Sequence, residues 1–239
     1  MVFASWRAKL VRMSTILITG ANRSLGFEAA RRLIEAGHDV WIGARDQARG
    51  RAAAEALGAR FVQLDVTDDA SVAAAVETVG ALDVLVNNAG IPGEFVPLPE
   101  VTVEHLRPVF EVNVYGPVRV LQAFRPLLEQ SSNPVVVNVS SGMGSIEVTS
   151  DPDRTESTLH NLTYGPSKTA LNMLTTQWAK AYPNFRINVV DPGYTATDFN
   201  HHSGPQTVAE GTDAIVEYAQ IGPDGPTGGY FDRHGVVPW

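Results

Sequence analysis

Short apolar runs alternate with helix-patterned segments along almost the whole chain, and this alternation constrains the fold more than any other feature of the sequence. The run TILITG is followed by FEAARRLIEAG, which has helical periodicity and ends at Gly37, and then by HDVWIGA. A strand, a helix and a second strand in this order form a βαβ unit. The alternation continues to RINVVDPG, which ends at Gly193. The sequence contains no internal repeat with a period of roughly 20–50 residues.

This pattern predicts an α/β fold, a single Rossmann-type, doubly wound parallel sheet with helices on both faces. The strand runs are almost continuously apolar, as expected when helices cover both faces of a sheet. We find no linker or shift in composition, so residues 13–239 are predicted to be one dinucleotide-binding oxidoreductase domain. Residues 1–12 precede Met13 and the first strand, and they are either an upstream start or a loosely held, disordered arm.

The charge balance limits the classes of partner. The net charge is −8 and there is no run of Lys or Arg, which argues against a nucleic acid or an anionic membrane surface as a partner. No apolar stretch approaches the roughly 18 residues of a spanning helix, so we expect no membrane span. The chain has no cysteine, which excludes disulfides and thiolate metal sites. We expect a cytoplasmic protein, although a secreted protein could also lack cysteine.

The segments that follow the strands are the ones to inspect for a ligand site, because ligands of such sheets bind at the carboxyl ends of the strands. The first strand is followed by TGANRSLGFE, in which Gly20 and Gly26 flank a loop that opens a helix. Glycines there let backbone N–H groups approach a pyrophosphate. A tight strand-to-helix turn is the alternative interpretation, since Ser24 replaces the middle glycine of many dinucleotide loops.

The segment after the second strand indicates which dinucleotide is bound. NAD would be expected to meet a carboxylate there, but the sequence is GARD, with Arg45. Arg45 and Arg23 offer planar cationic groups that suit the 2′-phosphate of NADP, so NADP(H) is favoured over NAD(H). Either arginine alone could be an ordinary surface residue. Asp46 is a competing acidic candidate, but it lies one position further and is expected to point away.

The stretch TYGPSKTAL places Tyr164 and Lys168 four residues apart, on one face of a helix that tolerates Pro166 only in its first turn. A lysine ammonium stabilises a phenolate, so we expect Lys168 to lower the pKa of Tyr164 from its ordinary value of about 10. Tyr164 could then exchange a proton with a carbonyl or alcohol oxygen. An exposed surface pair is the alternative for these two residues alone.

Two further polar residues complete the candidate chemistry. Ser141 follows a strand and could donate a hydrogen bond to the same oxygen. Asn113 lies in a predicted helix near residues 102–130, where asparagine is a poor choice for stability, so a hydrogen-bonding role is favoured over a structural one. The hydride itself must come from the cofactor, because no side chain can supply one, and no metal is needed.

With these motifs in this order, the chain resembles the short-chain dehydrogenase/reductase family from about residue 15 to residue 239. The segment NNAG at residues 87–90 is a specific part of this resemblance. The family pattern implies Ser141, not Ser140, as the catalytic serine, because successive strand side chains face opposite sides. It implies that Asn113 holds a water in a proton relay to Lys168. It also implies the following cofactor-binding residues: Gly20, Asn22, Arg23, Ser24, Leu25, Gly26, Arg45, Asp65, Val66, Asn88, Ala89, Gly90, Tyr164, Lys168, Pro192, Gly193, Thr195 and Thr197.

Within the family, the NR and ARD segments and the end at Trp239 look most like NADPH-dependent carbonyl reductases. The resemblance therefore implies an oxidoreductase that transfers a hydride between NADP(H) and a small carbonyl or alcohol substrate. The alternatives are a non-catalytic NADP(H)-sensing protein and a scaffold, both of which would be expected to have lost Tyr164, Lys168 or Ser141. A homodimer or homotetramer is compatible with the family, and a monomer is not excluded.

Three loops are expected to select the substrate, at residues 91–100, 142–163 and 194–206. The second is longer than the usual family connection, so it either lines the substrate cleft, covers a surface used for subunit contacts, or is a tolerated surface insertion. The third is short for a lid, which predicts an open site. His201 and His202 are adjacent there without spaced partners, so we expect solvent exposure or substrate contact and no metal site.

Overall fold

The strands and helices alternate as the sequence predicts over the residues that the computed structural model describes, 13–239. The predicted N-terminal arm, residues 1–12, lies outside the described residues. The strands are β1 (Thr15–Thr19), β2 (Asp39–Ala44), β3 (Arg60–Gln63), β4 (Val84–Asn87), β5 (Val135–Val139), β6 (Arg186–Val190), β7 (Tyr230–Asp232) and β8 (Gly235–Val236). The helices are α1 (Ser24–Glu35), α2 (Gln47–Leu57), α3 (Asp69–Val79), α4 (Val103–Phe110), α5 (Gly116–Leu128), α6 (Ile146–Ser150), α7 (Tyr164–Ala181), α8 (Val208–Gly211) and α9 (Asp213–Ala219).

All of these strands form one sheet in the order β3-β2-β1-β4-β5-β6-β7-β8, which reverses between β1 and β4. The pairings from β3 to β7 are parallel, which confirms the predicted doubly wound α/β fold. At the edge, β8 pairs antiparallel to β7, with Phe231 opposite Val236. The connection between them is too short for a crossover, so the chain can only turn back.

The central strand β1 shows how the sheet is buried on both faces. Ile16 and Ile18 pack in one hydrophobic cluster with Ala29 of α1, whereas Leu17 packs in a second cluster with Phe124 of α5. All five side chains are fully buried. Burial of each large side chain contributes roughly 1.5–3 kcal/mol, which is why the strand runs are apolar at successive positions.

The predicted helical stretch near residues 102–130 is divided in the structure. Helix α4 ends at Phe110, residues Glu111–Tyr115 form a π-helical turn, and α5 begins at Gly116. Asn113 lies in this turn, where its side-chain oxygen accepts a hydrogen bond from the backbone N–H of Ile91 at 2.9 Å. A wider turn of this kind is frequent at functional sites, and here it directs a buried amide toward the loop after β4.

Candidate active site

A cavity of about 790 Å³ lies at the carboxyl ends of the strands, at the point where the strand order reverses. Of the predicted catalytic residues, Ser141, Tyr164 and Lys168 line it, whereas the side chain of Asn113 is fully buried behind its wall. Every predicted cofactor-binding residue also lines it: Gly20, Asn22, Arg23, Ser24, Leu25, Gly26, Arg45, Asp65, Val66, Asn88, Ala89, Gly90, Tyr164, Lys168, Pro192, Gly193, Thr195 and Thr197.

The glycines of the loop after β1 are required by close packing. Gly20 has a φ of +65°, and a Cβ atom on it would lie 2.9 Å from the Cα of Ala89. A Cβ on Gly26 would lie 2.6 Å from Nδ2 of Asn88 and 2.8 Å from the Cα of Ala21. Because larger residues cannot occupy these positions without displacing the neighbouring loop, the glycines hold the loop after β1 against the loop after β4.

Ser24 keeps the backbone that a glycine would adopt, with a φ of +50°. A non-glycine residue in this region costs about 1–2 kcal/mol, so the loop retains its shape against local strain. Helix α1 begins at Ser24, and among the described residues no side chain caps this helix N-terminus and no acidic residue occupies its first turn. Uncapped N–H groups at a helix N-terminus attract anions, so the loop fits the pyrophosphate of a dinucleotide.

Asn88, the first residue after β4, holds the end of the neighbouring strand β1 in place. Its Nδ2 donates hydrogen bonds to the backbone oxygens of Thr19, at 2.8 Å, and Gly20, at 3.2 Å. The hydroxyl oxygen of Thr19 in turn accepts from the backbone N–H groups of Asn88 and Ala89, both at 3.0 Å. The NNAG segment therefore supports the glycine loop directly.

The two arginines predicted to favour NADP face the same cavity from different loops. Arg23 forms an ion pair with Asp198 at 3.3 Å, and both side chains are largely exposed. Among the described residues, no carboxylate forms an ion pair with Arg45. Asp46 caps α2 by accepting a hydrogen bond from the backbone N–H of Arg49 at 3.0 Å, so its carboxylate is directed to its own helix.

The turn after β3 carries Asp65 and Val66 into the cavity wall. One carboxylate oxygen of Asp65 accepts from both the backbone N–H and the hydroxyl of Thr67, at 3.0 and 2.7 Å. Arg119 of α5 donates to the backbone oxygen of Val66 at 2.7 Å. These bonds make the turn rigid and leave the second carboxylate oxygen of Asp65 available to a ligand.

The Pro192–Gly193 turn after β6 closes the other side of the cavity. Gly193 has a φ of +71°, and a Cβ there would overlap the side chain of Gln206. Thr195 donates from its hydroxyl to the backbone oxygen of Pro192 at 3.0 Å, and Thr197 caps the next turn through its own hydroxyl. The two threonines therefore shape the loop as well as line the cavity.

Three predicted catalytic side chains converge at one end of the cavity. Tyr164 begins α7, and the Nζ atom of Lys168 lies 5.6 Å from the centre of its ring. Lys168 is 4% exposed and donates to the backbone oxygen of Val139 at 2.8 Å. The hydroxyl of Ser141 lies close enough to that of Tyr164 to form a hydrogen bond. The hydroxyls of Ser141 and Tyr164 therefore face each other, and the amine of Lys168 lies beside the ring of Tyr164.

The expected direction of the Tyr164 pKa shift is wrong for this structure. Burial raises the pKa of Tyr164 above its ordinary value, the hydrogen bond from Ser141 opposes this rise, and the nearby carboxylate of Asp191 adds to it. Burial also lowers the pKa of Lys168 to about 8. Because the amine is itself desolvated and is bonded to Val139, it does not overcome the cost of burying a phenolate.

The neighbouring serines have different partners. Ser140 donates from its hydroxyl to Oδ1 of Asn172 at 2.6 Å, and Nδ2 of Asn172 donates to the backbone oxygen of Gly144 at 3.0 Å. Ser141 instead presents its hydroxyl to Tyr164. Ser140 therefore joins β5 to α7, while Ser141 is the serine that faces Tyr164.

Asn113 uses its side chain to fix the loop after β4. Its Nδ2 donates to the backbone oxygen of Ile91 and to the hydroxyl of Ser167, both at 3.0 Å. A Cβ on Gly90 would lie 3.4 Å from Oδ1 of Asn113 and 3.6 Å from Nζ of Lys168, so the two side chains approach the same glycine. The water relay between them stays a prediction.

The structure adds residues that sequence reasoning missed. Tyr230 of β7 donates from its hydroxyl to the backbone oxygen of Ser141 at 2.6 Å. Phe199 packs edge-on against Tyr164, with ring centres 5.3 Å apart. Asp191 is buried, and its Oδ1 accepts a hydrogen bond from the backbone N–H of Gly193 at 2.8 Å. Of these three residues, only Asp191 could have been found from a local sequence signal, because it directly precedes the Pro192–Gly193 turn.

The three loops expected to select the substrate all contribute residues to the lining of this cavity. Ile91 comes from the first, Met143, Glu156 and Leu159 from the second, and Phe199 from the third. The long segment at 142–163 folds into 3₁₀ turns and α6, so it forms a cavity wall. Of the three alternatives for this segment, lining the cleft is the one that the geometry shows.

Two further expectations from the sequence concern metal sites and membrane-spanning helices. His201 and His202 are exposed with left-handed backbones, and Nε2 of His202 lies 3.1 Å from Asp198. In residues 13–239, no group of three or more His, Asp or Glu side chains is arranged to hold a metal ion. Over the same residues, no helix has the length and apolar character to cross a bilayer.

Comparison with known proteins places this geometry in a family. The short chain dehydrogenase family matches residues 14–207. The (−)-isopiperitenone reductase of Mentha piperita is 34% identical over 299 aligned residues, covering 91% of this chain and 95% of that protein. The (+)-neomenthol dehydrogenase of Arabidopsis thaliana is 34% identical, with 92% and 96% covered. The NADPH-bound carbonyl reductase from chicken fatty liver is 27% identical and superimposes with a TM-score of 0.83, covering 95% of this chain and 100% of that one. The chain therefore belongs to the short-chain dehydrogenase family of oxidoreductases, which use a nicotinamide cofactor.

Proposed function

We propose that this protein is an NADPH-dependent reductase of small aldehydes or ketones, and that the same site oxidises the corresponding alcohols with NADP. The observation that carries the proposal is the convergence of the Tyr164 and Ser141 hydroxyls, with Lys168 behind them, in the cavity that also contains the glycine loop. When bound, the cofactor supplies the hydride.

The side chains provide what hydride transfer to a carbonyl carbon requires at the oxygen. Tyr164 gives its proton to the oxygen as negative charge develops there, and Ser141 donates a hydrogen bond to the same atom. Lys168, bonded to Val139, fixes α7 against β5 and holds a proton that can replace the one lost by Tyr164. By resemblance to the family, Asn113 holds a water molecule through which a proton reaches Lys168.

A carbonyl compound with an apolar body suits the substrate end of the cavity. Phe199 packs edge-on against Tyr164, and Ile91, Met143 and Leu159 add apolar surface to the lining of the same cavity. The alignment with the Mentha protein runs over 299 positions, which is longer than this chain of 239 residues, so that relative has segments without a counterpart here. For this reason the proposal names a chemical class and not the relatives' substrates.

The preference for NADPH is tested by Arg45→Ala. Loss of a charged, forked hydrogen-bond donor is expected to raise the dissociation constant for NADPH by about tenfold to a hundredfold and to leave that for NADH within about twofold. Quenching or enhancement of nicotinamide fluorescence measures both constants. Arg107→Ala, which removes the same charge from the exposed surface of α4, is the control. Equal weakening of NADPH and NADH binding in Arg45→Ala would count against the assignment.

The raised pKa of Tyr164 predicts different pH dependences for the two directions. Reduction needs the protonated phenol, which persists through neutral pH, whereas oxidation needs the phenolate. We expect kcat for alcohol oxidation to rise with pH, by up to about tenfold per unit, to at least about pH 9. Initial rates in both directions between about pH 6 and about pH 10 measure this. An oxidation rate that is greatest at or below about pH 7 would contradict it.

The whole proposal is tested by titrating the purified protein with NADPH and NADH and then adding a panel of aldehydes, quinones and diketones. Tight NADPH binding followed by its oxidation supports the proposal and gives the substrate class. NADPH binding without turnover across a broad panel would favour a non-catalytic, NADP(H)-sensing protein. Tighter binding of NADH would show that the interpretation of Arg23 and Arg45 is wrong.

A further inference from the structure

Asp191 is a buried carboxylic acid at the active site for which the mechanism above has no use. It directly follows β6 and precedes the Pro192–Gly193 turn, and only 7% of its surface is exposed. One oxygen, Oδ1, accepts a hydrogen bond from the backbone N–H of Gly193 at 2.8 Å. A buried carboxylate is costly unless donors satisfy it, so its position calls for a reason beyond packing.

The second oxygen of Asp191 lies against the turn that carries the catalytic serine. A Cβ on Gly142 would be 3.1 Å from Oδ2, and the backbone N–H of Gly142 is close enough to stabilise the negative charge. The hydroxyl of Tyr230 holds the same turn through the backbone oxygen of Ser141. One carboxylate therefore spans the serine turn and the Pro192–Gly193 turn.

We infer that Asp191 is a positioning residue: its ionised carboxylate holds the Ser141–Gly142 turn against the Pro192–Gly193 turn, and its protonation in mildly acidic solution releases Gly142. The Ser141 hydroxyl then leaves the point that the reacting oxygen would occupy, and carbonyl reduction slows. The inference rests on the proposed reductase function and adds a regulation of that same site by pH.

The groups that face Asp191 favour titration in this range. Asp232 and Tyr230 approach it from β7, Tyr164 from α7, and Glu156 from the 3₁₀ turn at Thr155–Thr158. Burial raises the pKa of Asp191 to about 6, the backbone N–H groups oppose this rise, and the two carboxylates add to it. A change from an ionised to a neutral group near this pH is therefore expected in the folded protein.

Substitution of Glu156 is a second way to change the pKa of Asp191. Its Oε1 would lie 2.8 Å from a Cβ on Gly142, so it reaches the same glycine as Asp191. Its other oxygen lies 3.5 Å from Nε of Arg154. Removing the charge of Glu156 takes away a repulsion and leaves Arg154 without this partner, and both changes stabilise the ionised form of Asp191.

The experiment measures kcat/KM for carbonyl reduction between about pH 5 and about pH 8 in the wild type and three variants. We expect the wild-type rate to fall below about pH 6. Asp191→Asn replaces one acceptor oxygen by an NH₂ donor, and we expect it to lower kcat/KM at pH 7.5 by about tenfold and to abolish the acidic fall. Glu156→Gln is expected to shift the fall to lower pH. Asp232→Asn removes the other carboxylate that raises the pKa of Asp191, so we expect it to shift the fall to lower pH as well.

A second measurement, urea unfolding of the wild type and Asp191→Asn at the same pH values, needs no substrate. Ionisation of Asp191 is less favourable in the folded chain than in the unfolded chain, where its pKa is about 3.9. The wild type should therefore lose stability relative to Asp191→Asn as the pH rises from about 4 to about 6, with a constant difference above that range. A merely structural hydrogen bond would give a difference that does not depend on pH.

The two readouts separate the inference from the proposed function. An acidic fall that persists unchanged in Asp191→Asn, or that does not move in Glu156→Gln, would overturn the inference even though the protein is a reductase. If the wild type reduces no carbonyl compound, the proposed function fails, and the unfolding comparison alone decides whether Asp191 titrates as inferred. A pH-dependent difference then supports the titration, and a pH-independent difference overturns it.

Discussion

Tyr164→Phe is expected to lower kcat for carbonyl reduction by about 10²-fold to 10⁴-fold, because the variant has no proton to give to the developing alkoxide. The ring remains, so its edge-on contact with Phe199 and the start of α7 should be kept. The dissociation constant for NADPH should change by less than about fivefold, since only one hydroxyl is lost. Steady-state rates and a fluorescence titration with NADPH measure the two quantities separately.

Tyr182→Phe is the matched control for this variant. Tyr182 follows α7 at its other end, and its ring packs against Phe185 at 5.4 Å between ring centres. We expect this variant to keep the wild-type kcat. A Tyr164→Phe variant that binds NADPH and retains full activity would remove Tyr164 from the mechanism, whereas equal losses in both variants would indicate a general effect on α7.

Gly26→Ala is expected to abolish measurable NADPH binding at cofactor concentrations that saturate the wild type. The added Cβ would lie 2.6 Å from Nδ2 of Asn88 and 2.8 Å from the Cα of Ala21, and backbone cannot yield as the end of a side chain can. Displacing Asn88 breaks its hydrogen bonds to Thr19 and Gly20. Overpacking of this kind typically costs about 1–3 kcal/mol, so the melting temperature should also fall by several degrees.

Gly222→Ala provides the control for Gly26→Ala. No described atom outside its chain neighbours lies within 4 Å of a Cβ on Gly222, and its φ is not in the left-handed region. We expect wild-type NADPH binding and an unchanged or slightly raised melting temperature. Normal NADPH affinity in Gly26→Ala would show that the loop after β1 does not have to approach the cofactor closely.

The central strands could be predicted from sequence because each is a nearly continuous apolar run that is buried on both faces. β7 and β8 could not, since they are short and their position depends on pairing with β6 and on the turn near Asp232. The π-helical turn around Asn113 could not be predicted either, because a turn of only five residues is too short to show a period of its own.

The site could be predicted to the extent that it consists of residues following strands. Ser141 and Tyr164 have local motifs, and the topology brings them together. The hydrogen bond from Tyr230 could not be predicted, because it joins positions 89 residues apart. The direction of the Tyr164 pKa shift could not be predicted from the sequence either, since it depends on the burial of the phenol, on the hydrogen bond from Ser141 and on the carboxylate of Asp191.

Deuterium transfer from NADPH labelled at C4 of the nicotinamide tests the central claim most directly. The enzyme is incubated with the labelled cofactor and a carbonyl compound selected from the panel, and the alcohol is analysed by mass spectrometry. Hydride transfer predicts one deuterium on the carbinol carbon when one face of C4 is labelled and none when the other is labelled. Alcohol formed without deuterium from either labelled cofactor would contradict direct hydride transfer in this cavity.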